Sequence, residues 1–443
     1  MNVKENTVRW FQRGSTALAD QVIFALSGFA SNILLARWFA LDQYGAYALA
    51  FSIYLFLSSF HNAMLLEPMS VLGPASYRNS LPEYLGRLVP LHLAVTIVPA
   101  LLVGIGGSVF GFVTKSSVVP PALWGACIGT PCMLFFWLWR RAAYLELQPK
   151  IALRGAVVNT ALVILLLFVA HWQGWLTPFT AFMLQSFAGI AASLVLMISL
   201  RPRLRFRWMD DAMHTILRQH WQYGRWVVVT AFVFWLAGDA YYVIVASSAS
   251  IRDVAILRAI QNFVRPISQF TVAVTLLLVP WASGRFADRD DVTFRRGINR
   301  VTMIFTAGAI AYLIALAVAG KWLTQFVYSG KYTEFAYLLP LMTLPVLFGA
   351  AAEGPAIAVR AMQVPAEIFW AYAAAAVPTL LFGIFFARHW GIMGAAIGLS
   401  ISGFAYFLVL TYRYRVRLSD MIPAPQPSHA SFSPEAAPTV EVQ

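Results

Sequence analysis

The segment Trp221–Gln269, WQYGRWVVVTAFVFWLAGDAYYVIVASSASIRDVAILRAIQNFVRPISQ, reads as two apolar helices joined by a short polar turn. Asp239, Arg258 and Arg265 lie inside or at the edge of these apolar runs, where charge is most costly. The segment also repeats the start of the chain. Moving Phe11–Phe60 forward by 210 positions lays it on Trp221–Phe270 without a gap. Gln12 then falls on Gln222, Gly14 on Gly224, Phe24 on Phe234, Gly28 on Gly238 and Phe60 on Phe270. An ungapped register with paired glycines predicts two related halves, the second beginning at this segment.

The composition sets the class. Of 443 residues, 60% are hydrophobic and 12% charged, where a soluble domain carries about 25% charge. No soluble core hides that much apolar surface, so the chain is expected to be an all-α, polytopic membrane protein. Twelve apolar runs are long enough to span: 15–37, 43–66, 88–113, 118–139, 151–171, 176–200, 222–247, 255–281, 301–320, 335–359, 366–387 and 391–412. The expected organisation is a six-helix lobe over 1–207, a surface linker helix over 208–221, a second six-helix lobe over 222–417 and a disordered tail over 418–443. The last part of that tail, 421–443, holds five prolines.

The net charge of +13 raises the question of nucleic acid, and the placement of the charge answers it. With the N-terminus in the cytoplasm, 24 of the 32 Lys and Arg fall on the cytoplasmic side. The bias predicts both termini inside and assigns the basic residues to topology and to anionic lipid heads. Each half ends in an alternating basic run, RPRLRFR at 201–207 and RYRVR at 413–417, read as interfacial anchors. Cys127 and Cys132 share one apolar run, about 140° apart on a helix, which argues against a disulfide or metal site. The seven histidines form no cluster in the sequence, no Walker sequence is present, and no cofactor is expected.

The intramembrane polar residues are the candidates for function. Arg258, Asn262, Arg265 and Gln269 recur at i, i+4, i+7 and i+11, on one side of the eighth helix. Such a face must meet water or a partner. It reads as a cationic wall for an anionic head group, or as an outer-interface arginine followed by an arginine paired for structure. Arg37, near the outer end of the first helix, is the first half's nearest counterpart. Asp239 is the only charge in the seventh helix beyond Arg225 at its start: it binds a proton or cation, or forms a fixed salt bridge to Arg265. Asp20 is either a cavity carboxylate, on a thin polar face with Thr16, Ser27 and Ser31, or a solvated acid at a helix start. Glu353 and Arg360 are seven apart on one face, with Pro355 between them to bend the helix: they belong to a moving cavity wall, or form an exposed ion pair at a helix end near the cytoplasm.

The run GFASNILLARWFALDQYGAYALAFSI, residues 28–53, resembles the opening of Wzx-type polysaccharide transporters of the multidrug/oligosaccharidyl-lipid/polysaccharide exporter superfamily. The resemblance rests on Ala36–Arg37, Tyr44–Gly45 and Tyr47–Ala48, with GDAYYVIV around Asp239, AILRAIQNFVRPISQ, and GIMGAAIGLSISG at 391–403 as counterparts in the second half. It implies twelve helices, as in Wzx-type and drug-exporting relatives, where the peptidoglycan-precursor flippases have fourteen. It implies a V-shaped pair of lobes around a central cavity that alternates between sides. It also implies a polyprenyl-pyrophosphate-linked oligosaccharide as cargo, membrane lipids, a polysaccharide polymerase and a chain-length regulator as partners, and the bacterial inner membrane as the location. A drug or cation antiporter of the same fold would favour the carboxylates Asp20, Asp239 and Glu353. A membrane-embedded glycan polymerase or ligase would need a large external loop, and the sequence offers none.

Overall fold

The protein is seen here in a computed structural model that describes residues 3–202, 210–364 and 366–420. The stretch 421–443 of the expected tail, and Arg203, Arg205 and Arg207 of the first basic run, lie outside the described residues. Among the described residues there is helix and connection and no strand. The helices are α1 (Val3–Trp38), α2 (Leu41–His61), α3 (Glu67–Ser76), α4 (Leu81–Thr114), α5 (Val119–Leu145), α6 (Pro149–Trp172) and α7 (Pro178–Leu200) in the first half. The second half has α8 (Asp211–Ala237), α9 (Ala240–Ser248), α10 (Ile251–Ala287), α11 (Asp291–Tyr328), α12 (Leu338–Ala361) and α13 (Ala366–Asp420). A five-residue π turn, Asn62–Leu66, joins α2 to α3.

By length and apolarity, nine helical stretches among the described residues can cross a membrane, or ten if the bent pair α8–α9 counts as one span. The twelve expected runs are therefore not matched one for one. α10, in which several side chains between 269 and 277 lie outside the described residues, is not among those counted. α13 is a single run of 55 residues only formally, because Gly391 sits at φ 54°, ψ −133°, a backbone conformation open to glycine alone, and divides it.

Local sequence explains where the helices begin and end. Thr177 accepts the amide of Thr180, Ser250 that of Asp253 and Asp290 that of Thr293, each satisfying an orphan donor at a helix start. Lys115, Arg201 and Ser329 take left-handed geometry at helix ends. Short connections make consecutive helices antiparallel. One end of the molecule then holds the start of α1 and the ends of α3, α5, α7, α10, α12 and α13; this is called the inner end.

The packing repeats between the halves. In the first, α5 packs on α4, α7 and α2, and α6 on α1; in the second, α12 packs on α11, α13 and α10, and α13 on α8 and α9. The buried apolar residues fall into clusters with a clear geography. At the outer end one continuous cluster runs through both halves, from Leu35, Tyr44 and Tyr47 to Tyr241, Leu257, Tyr328 and Leu399. At the inner end there are two, one around Trp139 and Leu196 in the first half and one around Ile298 and Val359 in the second. The halves are thus joined at the outer end and have separate cores at the inner end. Large apolar side chains such as Leu102, Phe112, Ile198 and Val318 cover the outside, as lipid requires.

The join has an internal symmetry. Arg252 and Asp42, paired at 2.9 Å, lie 210 positions apart, the same offset as the sequence repeat. Equivalent residues that meet mark a two-fold relation between the halves. Beside them α2 and α10 approach backbone to backbone: a Cβ on Gly45 would stand 1.9 Å from the carbonyl oxygen of Ile251. Lys331 adds a cap across the join, donating to the carbonyls of Ala36 (3.3 Å), Arg37 (2.7 Å) and Phe39 at the end of α1. Burial pushes the pKa of Lys331 down from the ordinary lysine value.

Of the stretch expected as a separate linker helix, 208–221, residues 208 and 209 lie outside the described residues, and 211–221 belongs to a longer helix. α8 runs unbroken from Asp211 to Ala237, and Met213 and Ile216 enter the inner core of the first half. Asp210 accepts from Arg87, Gln219 from Tyr77 at 2.7 Å, and His220 meets Tyr84 Oη at 2.9 Å.

Candidate functional site

The site is built where α8 breaks. Gly238 and Asp239 separate α8 from α9, and the two axes meet at 46°. Gly238 adopts φ −132°, ψ −69°, and its amide closes back on the Trp235 carbonyl at 3.2 Å. The break places Asp239 opposite α10, where Arg265 Nη2 stands 3.8 Å from Asp239 Oδ1. That distance is an ion pair without a hydrogen bond. Arg265 lies deep between helices yet keeps 36% of its side-chain surface open, and Asp239 keeps 26%.

The face expected on α10 is one face, but it does not have one environment. Arg258 is 1% exposed and Asn262 2%. Arg258 Nε and Nη2 donate to Asn32 Oδ1 on α1 at 3.2 and 3.0 Å, and Nη1 donates to Tyr242 Oη at 3.2 Å. Its guanidinium lies 4.8 Å over the ring of Phe51 on α2. Asn262 Nδ2 donates to Tyr44 Oη at 3.1 Å and Tyr328 Oη at 3.3 Å. Arg258 and Asn262 were expected on a cavity wall; they are buried cement in the outer join. The first half covers the first turns of α10 and has diverged by the level of Arg265, which is why only the latter opens. The side chain of Gln269 lies outside the described residues. Arg37 is exposed at the outer end of α1, away from this opening.

Each expected carboxylate holds a partner. Asp20 is fully buried, bonded by Arg140 Nε at 3.1 Å, by Arg140 Nη2 at 2.6 Å and by Tyr144 Oη. The solvated-acid reading of Asp20 is therefore overturned. Arg140 also lies 4.5 Å over Phe24. Glu353 Oε1 accepts from Thr275 at 2.7 Å and from Arg360 at 3.4 Å.

Phe24 leads to a cavity of about 150 Å³ in the first half. Ser27 and Ser31 of the expected α1 face line it, together with Tyr54, Asn159 and Gln185. A larger recess of about 360 Å³ around Lys321, Glu334 and Tyr337 lies at the outer end, apart from the paired charges.

Sequence reasoning missed several of these groups. Asn159 and Gln185 are single amides in apolar helices, a signal of the same kind as Asp239 and open to the same argument. Glu367 is 3% exposed in its side chain and is clamped by Arg413 at 3.3 Å and Arg417 at 2.7 Å. Two arginines of the second basic run therefore form a buried-carboxylate clamp, beyond a role as anchors. His61 and His92 lie 31 residues apart in sequence but 3.0 Å apart in space, so the expectation that no histidines cluster is corrected. Among the described residues no group of three or more metal-ligating side chains comes together.

No family model matches the sequence, and no curated protein matches it. Solved structures do resemble the fold. An inward-facing multidrug resistance MATE family transporter of the MOP superfamily superposes with a TM-score of 0.72 at 13% identity, over 91% of this chain and 98% of that one. The lipid II flippase MurJ in an inward closed conformation also gives 0.72, at 16% identity, over 90% of this chain and 87% of that one. An outward-facing MATE transporter gives 0.58 at 13% identity, over 91% and 94%. At these identities the likeness is one of fold. Of these two MATE structures, the inward-facing one superposes with the higher score.

Proposed function

We propose that this multi-pass membrane protein is an alternating-access transporter that moves a polyprenyl-pyrophosphate-linked oligosaccharide across the bacterial inner membrane, with both termini in the cytoplasm. Two six-helix lobes rock about the outer join, and the opening between them at the inner end admits the cargo. The observation that carries this reading is the inequality of charge along the halves. Asp20, Glu353 and Glu367 are each held by arginine in hydrogen-bonding geometry, whereas Arg265 is only loosely paired and open. An anionic cargo suits that balance better than a cationic one. A guanidinium presents a rigid fork of donors that meets two phosphate oxygens at once, which an ammonium cannot do. The lipid tail would remain in the bilayer. A polysaccharide polymerase and a chain-length regulator would be the partners downstream.

The test is export in the native host. Arg265→Ala should block export and accumulate the lipid-linked intermediate; Arg265→Lys should retain partial export. Arg296→Ala, an exposed residue of α11, is the control. Normal insertion with parental export in Arg265→Ala would remove the cationic opening from the mechanism. One observation favours a second reading, an ion-coupled drug or cation antiporter: the 3.8 Å separation leaves Asp239 available to a cation once Arg265 moves. Gradient-dependent efflux abolished by Asp239→Asn would support that reading.

A further inference from the structure

The first half buries two histidines that the transport reading leaves unused. His61 on α2 and His92 on α4 are both 0% exposed. Their rings meet edge to face, 5.0 Å between centroids at 87°, with His61 Nε2 3.0 Å from His92 Nδ1. His92 Nε2 stands 3.0 Å from the carbonyl oxygen of Pro131 on α5. A carbonyl can only accept, so His92 Nε2 carries a proton and donates it. His92 Nδ1 is then an acceptor, and His61 Nε2–H donates to it. This chain fixes both tautomers and leaves His61 Nδ1 with a lone pair, buried and without a partner among the described residues. A buried acceptor facing no donor is rare and calls for an account.

The pair adjoins the contact between the halves. His61 is the residue before the π turn Asn62–Leu66. Such turns insert one residue into a helix and concentrate at functional sites. α8 is seated on this one. His220 Nδ1 bonds the Met64 carbonyl at 3.1 Å, and a Cβ on Gly224 would stand 2.8 Å from the Ala63 oxygen. The charged and titratable groups nearest on the elements packed here include Glu67 on α3, Tyr84 and Arg87 on α4, Cys132, Arg140, Arg141 and Tyr144 on α5, and Asp210, His220 and Tyr223 at and along α8; Glu83, Cys127, Asp211, His214, Arg218 and Arg225 lie farther along the same elements. Arg87 is bonded to Asp210, Arg140 and Tyr144 to Asp20, and Tyr84 to His220. The hydrogen bonds of the two rings go to each other and to Pro131.

We propose that the His61–His92 pair is a proton-binding site, loaded at His61 Nδ1, that couples proton movement to the seating of α8 on the π turn. The proposal rests on the transport reading for the work the proton performs. A proton from water adds to the Nδ1 lone pair and makes a singly charged imidazolium–imidazole pair. The new N–H needs an acceptor that the present enclosure does not supply. Water, or a carbonyl released when the π turn shifts register, supplies it in a second conformation, where α8 is reseated. The proton leaves to water on the opposite side. A ligand that prefers one conformation shifts the population by that preference. One proton shifts the ratio of two conformations by at most about tenfold per pH unit.

The experiment uses the full chain in lipid nanodiscs. Ring ¹⁵N spectra of the seven histidines are followed from about pH 8 to about pH 3, since burial of uncharged rings favours their neutral form. One coupled pair of buried rings should titrate together and be lost in both His61→Gln and His92→Gln. Spin labels at Ser80 and Asp288, exposed at the inner end of each half, report the separation of the halves, with Cys127 and Cys132 replaced by alanine. The unsubstituted pair should give a pH-dependent ratio of two distances in the same interval, by up to tenfold per pH unit, and either glutamine variant a pH-independent one. A distance shift that survives in both variants overturns the proposal. If the variants do not fold, the unsubstituted chain decides: absence of any titrating buried ring overturns it. A failure here with export still dependent on Arg265 leaves the transport reading standing. A titrating pair with no export leaves the proton site standing.

Discussion

Asn32→Leu is the sharpest perturbation of the outer join. Asn32 is oriented by its own helix, its Nδ2 donating to the Gly28 carbonyl at 2.8 Å, so its Oδ1 offers both lone pairs to Arg258. Leucine keeps the volume and removes both acceptor positions. A hydrogen bond to a charged group contributes about 1.5–3 kcal/mol. The two bonds share one oxygen, so the loss is about 3 kcal/mol, or about a hundredfold in the open-to-closed ratio of this end. The guanidinium would be left with Tyr242 and the Phe51 face. By contrast the Arg252–Asp42 pair is exposed on both sides, and such pairs contribute about 0–1 kcal/mol. Asp42→Asn should therefore move the ratio by less than about fivefold. The assay is a distance distribution between spin labels at Gln173 and Arg388, exposed outer-end positions just past α6 and on α13, in the background lacking Cys127 and Cys132. Asn32→Leu should populate a longer distance that is absent or minor in the parent. An unchanged distribution in both Asn32→Leu and Arg258→Met would refute the claim that this buried arginine holds the halves together.

Two further outcomes follow from paired charges. Glu367→Gln removes one buried carboxylate from two arginines that can reach water, whereas Arg413→Ala with Arg417→Ala strands that carboxylate; the double variant should lower the melting temperature more, since an uncompensated buried charge costs about 3–5 kcal/mol. Equal melting temperatures would show that the clamp is not the source of stability. At Asp290 the Thr293 hydroxyl and amide, with Arg285, hold the carboxyl pKa below its usual range. A depressed folded-state pKa gives stability that is complete above the unfolded value, about 3.9, and is lost as pH falls through the folded one. Asp290→Ala should thus melt earlier at neutral pH, and thermal scans should show the gap closing below about pH 4.

The class and most helix positions were legible because lipid imposes length and apolarity on each span directly. α10 was legible too, because its arginines fall at helical spacing ahead of an uncharged apolar stretch. Burial was less legible. Arg258 and Arg265 share one face in sequence, and nothing local says that α1 and α2 cover the first and leave the second open. That depends on the angle between the halves. The partners of Asp20 and Glu367 lie 120 and 50 residues away, so spacing could not pair them. The histidine pair was invisible for the same reason. The π turn beside it has no strong sequence mark, since a single inserted residue leaves the apolar pattern almost unchanged.

The course of α8 bears on how the chain is made. The first half does not finish its inner core with its own last helix: Met213 and Ile216 fill it, and His220 and Gly224 close over the π turn. A ribosome that has released residues 1–200 has therefore delivered six helical passages with an open seam. Until the following two dozen residues emerge, that seam must be shielded by lipid or by the insertion machinery. A fragment ending at residue 207 should be degraded, and one ending after α8 should survive. Two fragments divided between α9 and α10 should reassemble more readily than two divided at the midpoint of the repeat. The unit of biogenesis is then longer than the unit of duplication, and α8 is the stitch between them.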